Sequence, residues 1–157
     1  MKRILSFTSG TICCALLFTA SGSTANLRSF HVKKEIIRTA DAPSQSPLYS
    51  QAIKVGSTIY VTGTLGIDPK TSQPAGATIQ EQTRQALLNC QAILRAGGAE
   101  LGNVVEVQVL LARPQDFAGM NEAYAEFFST DPPTRTTSRL GPELPNLLVS
   151  IAMTAVL

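Results

Sequence analysis

The 157-residue chain contains one histidine and three cysteines, and both scarcities exclude chemistry. A single histidine, His31, cannot build a histidine-based triad or a histidine metal cluster within one chain. Two of the cysteines, Cys13 and Cys14, lie in the apolar N-terminal stretch, which leaves Cys90 alone in the remainder. One thiol makes no internal disulfide, so that remainder must be held by its core or by association. Long hydrophobic runs are also missing. The densest, Ile12 to Ala20, is too short to cross a bilayer as a helix. There is no internal repeat and no Gly-rich phosphate loop, because Gly97-Gly98 lacks the spacing and opens no helix.

The N-terminus has the layout of an export signal. Lys2 and Arg3 precede an apolar stretch, and Ser23-Thr24-Ala25 gives the small-x-small pattern of a cleavage site. The expectation is a signal peptide over 1–25 and a domain over 26–157, in a periplasmic or secreted protein. Losing Lys2 and Arg3 reduces thirteen basic residues to eleven, equal to the eleven acidic ones. A neutral domain without a basic stretch gives no reason to expect nucleic acid or an anionic membrane surface as partner.

Along the domain, His31–Thr39 predicts a first strand. Ala52–Val55 and Thr58–Thr62 predict a hairpin across Gly56-Ser57. Thr78 and Glu81 form a capping box that opens a helix. Ile79, Ala86, Leu87, Cys90, Ile93 and Leu94 give that helix one apolar face, and Gly97-Gly98 ends it. Asn103–Ala112 predicts a strand with Val105, Val107, Val109 and Leu111 facing one way. A second helix is expected from Pro114 or Gln115 to Phe128, with Phe117, Met120, Tyr124 and Phe127 on one stripe and Asp131-Pro132-Pro133 as its stop. Thr134–Leu140 and Leu147–Leu157 predict two closing strands. The order β, ββ, α, β, α, ββ implies an α+β domain, one sheet with two helices packed on one face. The last strand reads as apolar on both sides of its pleat, which suggests that a partner subunit covers the second face.

Four segments, in this order, resemble the RidA (YjgF) family of reactive intermediate deaminases. The first is Tyr49-Ser50-Gln51-Ala52 with Val55-Gly56 and Ile59-Tyr60-Val61-Thr62-Gly63; the second is Asp68-Pro69-Lys70-Thr71. The third is Asp116-Phe117-Ala118-Gly119-Met120-Asn121-Glu122-Ala123-Tyr124 with Phe127-Phe128. The fourth is Pro133-Thr134-Arg135-Thr136-Thr137, with Leu144-Pro145 before the last strand. The likeness runs from about residue 31 to the end. It implies a chorismate-mutase-like fold with one mixed sheet, a homotrimer with clefts between subunits, and hydrolysis of 2-imino or 2-enamino acids to a 2-keto acid and ammonia without metal or organic cofactor.

The resemblance also assigns residues. Arg135 matches the family's cleft arginine, and its planar, permanently charged fork suits a substrate carboxylate. Tyr49 matches a tyrosine that lines the pocket from an adjoining subunit, and Thr62 and Gly63 match residues near the ligand. Asn121 matches a helix asparagine with a structural part. Thr137 stands where many relatives carry cysteine, which keeps polarity and loses nucleophilicity. The main departure is in the last strand, where Ser150 and Ala152 fall at the positions of acids that help deaminating relatives position water. Neither can act as a carboxylate base. Glu143, in the loop from Arg139 to Pro145, is the one nearby acid to weigh as a substitute, against a plain solvated charge. Two functions follow: a deaminase, slowed by the missing acid, and a non-catalytic binder or sensor of small carboxylates. Ribonuclease activity, attached to some relatives, is disfavoured by neutral charge and the absence of a histidine pair.

Overall fold

A computed structural model of the chain describes residues 32–44 and 46–157, so the expected leader over 1–25 lies outside the described residues. Strands β1 (Lys34–Ile37), β2 (Ala52–Val55) and β3 (Thr58–Leu65) come first, followed by helix α1 (Ile79–Ala96) and β4 (Val104–Leu111). Helix α2 (Phe117–Ala125), β5 (Thr134–Arg139) and β6 (Val149–Val156) complete the domain. The strands form one six-stranded sheet in the order β1-β2-β3-β6-β4-β5. Every pairing is antiparallel except β4 with β5, which is parallel because α2 crosses between them. The sheet is therefore mixed, as expected.

The helices form because their apolar faces have a sheet to cover. All six residues expected on the α1 face are buried, and the Thr78–Glu81 capping box is present. Each fully buried Leu or Ile there contributes roughly 1.5–3 kcal/mol relative to exposure. On the sheet, β6 turns Val149, Ile151, Met153 and Ala155 inward, and β4 turns Val107, Val109 and Leu111 inward. Two buried amides join helix to loops. Gln82 donates to the carbonyls of Gly76 and Asn146 and accepts from the Leu148 N–H. Asn89 donates to the carbonyls of Leu65 and Ile67.

Three expectations need correction. Val105 is 47% exposed and Val104 takes its inward place, because the β4–β6 register shifts between Val104 and Glu106. The second helix is shorter than expected. A 3-10 turn over Pro114–Asp116 precedes α2, and past Ala125 the N–H groups of Phe127 and Phe128 both turn to the Tyr124 carbonyl. The outward row of β6 is Ser150, Ala152, Thr154 and Val156, small and mixed rather than strongly apolar. The sequence pattern missed this because Ala, Ser and Thr count weakly in any hydrophobic reading.

Candidate functional site

Pairing decides where the arginine points. Arg135 lies beside Val107 and Thr137 beside Val109 in the parallel β4–β5 ladder. Val107 and Val109 face the core, so Arg135 and Thr137 face the same helix layer. β5 is an edge strand, and the helix that meets Arg135 there is α2. The Arg135 guanidinium carbon lies 4.6 Å from the Tyr124 ring centroid and 5.9 Å from that of Phe117. Its Nη1 lies 3.9 Å from Met120 Sδ. The three α2 residues follow helical spacing, so the stripe predicted for the core forms a platform for the cation. None of the ion pairs among the described residues involves Arg135; they join Arg84 to Glu126, Arg95 to Glu100 and Arg113 to Asp116. The last of these clamps the turn that starts α2, through bonds of 2.7 and 3.0 Å.

Two buried oxygens on α2 have no hydrogen-bond partner among the described residues, Asn121 Oδ1 and the Tyr124 hydroxyl. Burial pushes the Tyr124 hydroxyl pKa up, against the opposing pull of the Arg135 charge. Phe117 is 46% exposed and also lines a cleft with Leu111, Pro114, Thr137, Ser138 and Arg139.

Tyr49, Thr62 and Gly63 gather elsewhere. They line a second cleft with Pro43, Ser44, Gln51 and Leu65, and this cleft shares no residue with the one beside Thr137. It is shaped by an irregularity in β3, whose register against β6 shifts between Val61 and Thr64. Gln51 fixes the rim. Its side-chain amide donates to the carbonyls of Thr39 and Pro43, and its main-chain carbonyl accepts from the Thr62 N–H. A Cβ on Gly63 would stand 2.8 Å from Ser150 Oγ, so glycine is what admits that hydroxyl. With β6 and β4 between β3 and β5, the two groups sit about 14 Å apart across the sheet.

The two acid-position residues also part company. Ser150 is buried beside Gly63, whereas Ala152 lines a groove with Tyr60, Glu106, Gln108 and Thr154. Glu106 is the carboxylate in that groove and accepts from the Thr154 hydroxyl at 3.4 Å. Sequence reasoning missed it; the β4–β6 register that puts Gln108 opposite Ala152 is what places it. Glu143 lines a different cleft with Arg139 and Gly141. Cys90 is fully buried, and burial pushes its thiol pKa up to about 12. Among the described residues no group of three or more His, Cys, Asp or Glu side chains gathers as a metal ion would need, and no helix is long and apolar enough to cross a membrane.

Comparison with known proteins gives one answer. The family model described as Endoribonuclease L-PSP matches residues 39–157. A RutC family protein of Pyrococcus horikoshii is 42% identical over 118 residues, 75% of this chain and 94% of that protein. The human 2-iminobutanoate/2-iminopropanoate deaminase is 41% identical over 102 residues, 65% of this chain and 74% of the relative. Among solved structures, RidA from an Antarctic Psychrobacter superposes with a TM-score of 0.74 at 33% identity, covering 78% of this chain and 99% of that one. Escherichia coli TdcF with bound serine gives 0.74 at 30%, covering 78% and 98%.

Proposed function

From the premise that this chain belongs to the RidA family, whose model carries the description Endoribonuclease L-PSP, we propose that it hydrolyses small 2-imino or 2-enamino acids to a 2-keto acid and ammonia. The observation that carries this reading is the Arg135 guanidinium, held on an aromatic platform and in no ion pair among the described residues. A cation so placed is ready for the carboxylate of a substrate. Fixing that group orients the imine carbon for attack, which converts an encounter into a positioned reaction. Water then adds to the C=N carbon, nitrogen gains the protons, and the C–N bond breaks to leave a C=O group and ammonia. Thr137 and Phe117 line the same wall, with hydroxyl and ring respectively.

Tyr49, Thr62 and Gly63 form the opposite wall in this reading, supplied by a second copy. Their distance from Arg135 within one chain supports a site completed between subunits, and the homotrimer implied by the family resemblance supplies that geometry. Turnover is slow in this reading, because Ser150 and Ala152 stand in place of acids and general acid–base help is worth about 10²–10⁴-fold. The carboxylate-binder reading rests on that same replacement, whereas the named deaminase relatives favour catalysis. The protein acts after export, the N-terminal basic-apolar-small pattern being the support.

The test generates the imine in place with an amino-acid oxidase and follows its disappearance and the keto acid formed. Acceleration over buffer is expected. No acceleration by a preparation confirmed as a trimer rejects the proposal.

A further inference from the structure

Beyond the proposed carboxylate site, a second guanidinium without an ion pair among the described residues faces the same way on the same strand. Arg139 is paired with Leu111 in the β4–β5 ladder, as Arg135 is with Val107 and Thr137 with Val109. Leu111, Val107 and Val109 are all buried in the core. Arg135, Thr137 and Arg139 therefore form one row on the helix side of the edge strand, with Cα atoms at the row's ends about 13 Å apart. The surroundings of the two arginines differ. Arg135 lies over the Tyr124 ring, whereas Arg139 is exposed and lines the cleft that Phe117 and Thr137 share. Phe117 touches both halves, its ring 5.9 Å from the Arg135 guanidinium carbon.

An exposed arginine on an edge strand often serves only solubility. Two features set Arg139 apart. Its side chain points to the cleft side rather than the open face, and it has no ion pair among the described residues although Glu143 lines the adjoining cleft with it. A substrate with one carboxylate leaves this second fork unused. A substrate with two can engage both arginines, with Thr137 between them and the ring of Phe117 along the carbon chain.

We propose that Arg139 is a specificity-determining residue that selects 2-imino acids bearing a second carboxylate on the side chain, such as those formed by oxidation of acidic amino acids. The inference rests on the deaminase reading of the Arg135 site. The reaction keeps its balance: water adds, ammonia leaves, and the product is a 2-oxo diacid with both carboxylates intact. The proposed role of Arg135 gives it the carboxylate beside the imine, which leaves Arg139 to the distal one.

The experiment compares kcat/KM for an imino diacid and an imino monoacid, each made in place by a suitable oxidase, in the full mature protein. The wild type is expected to favour the diacid. Arg139→Gln is expected to lower the diacid-to-monoacid ratio by roughly 10–100-fold, the loss that a charge-assisted contact implies, mainly through KM. Arg139→Glu is expected to lower it further. An unchanged ratio, or an equal loss on both substrates, overturns the proposal. A wild type that accelerates neither imine rejects the deaminase reading instead, and calorimetry then decides the selectivity alone. Succinate is expected to bind more tightly than propanoate, with the difference removed by Arg139→Gln; equal or absent binding overturns the assignment.

Discussion

The guanidinium carbon of Arg135 lies over the ring of Tyr124, 4.6 Å from its centroid, while the hydroxyl of that same tyrosine is buried with no hydrogen-bond partner among the described residues. The ring and the hydroxyl thus have separate consequences. A cation–π contact of this kind is worth about 0.5–2 kcal/mol and fixes the arginine in place. A buried hydroxyl without a partner costs about 1–3 kcal/mol. Tyr124→Phe is therefore expected to keep activity and raise stability by about 1 kcal/mol. Tyr124→Leu removes the platform and is expected to raise KM several-fold with less effect on kcat. Thermal unfolding and steady-state kinetics on the two variants separate the roles, and a Phe variant that loses activity would show the hydroxyl to be used.

The arginine itself is expected to resist conservative replacement. Lysine keeps the charge but loses the planar fork that grips both carboxylate oxygens. Arg135→Lys is expected to lower kcat/KM by roughly 10–100-fold, the loss of a charged hydrogen bond of about 1.5–3 kcal/mol, and Arg135→Ala to abolish turnover. The imine assay measures both. Full rate in Arg135→Ala would place the carboxylate site elsewhere.

Much of this architecture was legible in the residues, for identifiable reasons. The capping box at Thr78, the apolar spacing through Leu94 and the glycine pair after Ala96 bounded α1 almost to the residue, because each acts locally. The site was legible only through resemblance, and even that could not show its division. What separates Arg135 from Tyr49 is the strand order, in which β6 enters between β3 and β4, and no local signal carries that. The same holds for Glu106 and Arg139, whose directions depend on pairing register and not on any motif around them. Val105 failed for a related reason. A single extra residue in the ladder reverses which neighbour faces inward, and the alternation of valines is blind to it.

Close approach between β3 and α1 makes a stability prediction. A Cβ on Gly66 would lie 2.7 Å from both the Cα and Cβ of Gln82 and would press on the Gln82 carbonyl as well. These are mainly backbone or near-backbone atoms, which cannot swing aside. Displacing Gln82 would also loosen its bonds to Asn146 and Leu148, which set the start of β6. Gly66→Ala is expected to destabilise by about 2–4 kcal/mol, as overpacking combined with a broken buried network does. Gly102→Ala, where an added Cβ meets nothing within 4 Å, is the control. Urea unfolding of both reads the difference.

Burial of Cys90 predicts both inertness and an alkaline limit. Its thiol is pushed up from 9.0 to about 12, so almost no thiolate exists at neutral pH and none is exposed. Alkylating reagents are expected to leave Cys90 unmodified in the native protein and to label it only in denaturant. The sign of the pH effect follows from the raised value. The unfolded chain loses this proton near pH 9 while the folded chain keeps it. The thiol's contribution to stability is thus complete below pH 9 and declines between 9 and 12. Cys90→Ala is expected to flatten that decline, at the cost of a small cavity, and unfolding measured across pH 7 to 11 checks it.

Co-refolding of two complementary variants tests the divided site directly. If Arg135 of one subunit works with Tyr49 of another, then Arg135→Ala and Tyr49→Ala each leave one wall intact. Neither homo-oligomer has a complete site. A mixed assembly does, wherever a Tyr49→Ala subunit supplies the arginine wall and an Arg135→Ala subunit the tyrosine wall. Random assortment makes about a quarter of all sites complete in a cyclic oligomer with heterologous interfaces. Unfolding and refolding the two inactive variants together is expected to restore about that share of wild-type activity. Mixing them without unfolding restores it only as fast as subunits exchange. The double variant Arg135→Ala/Tyr49→Ala, refolded with wild type, sharpens the result: complete sites then require wild-type neighbours on both sides of an interface, and activity falls as the square of the wild-type fraction rather than in proportion to it. If the co-refolded variants remain inactive while forming mixed oligomers, both walls must come from the same chain, and the separation between β3 and β5 would have to be bridged by a rearrangement within it.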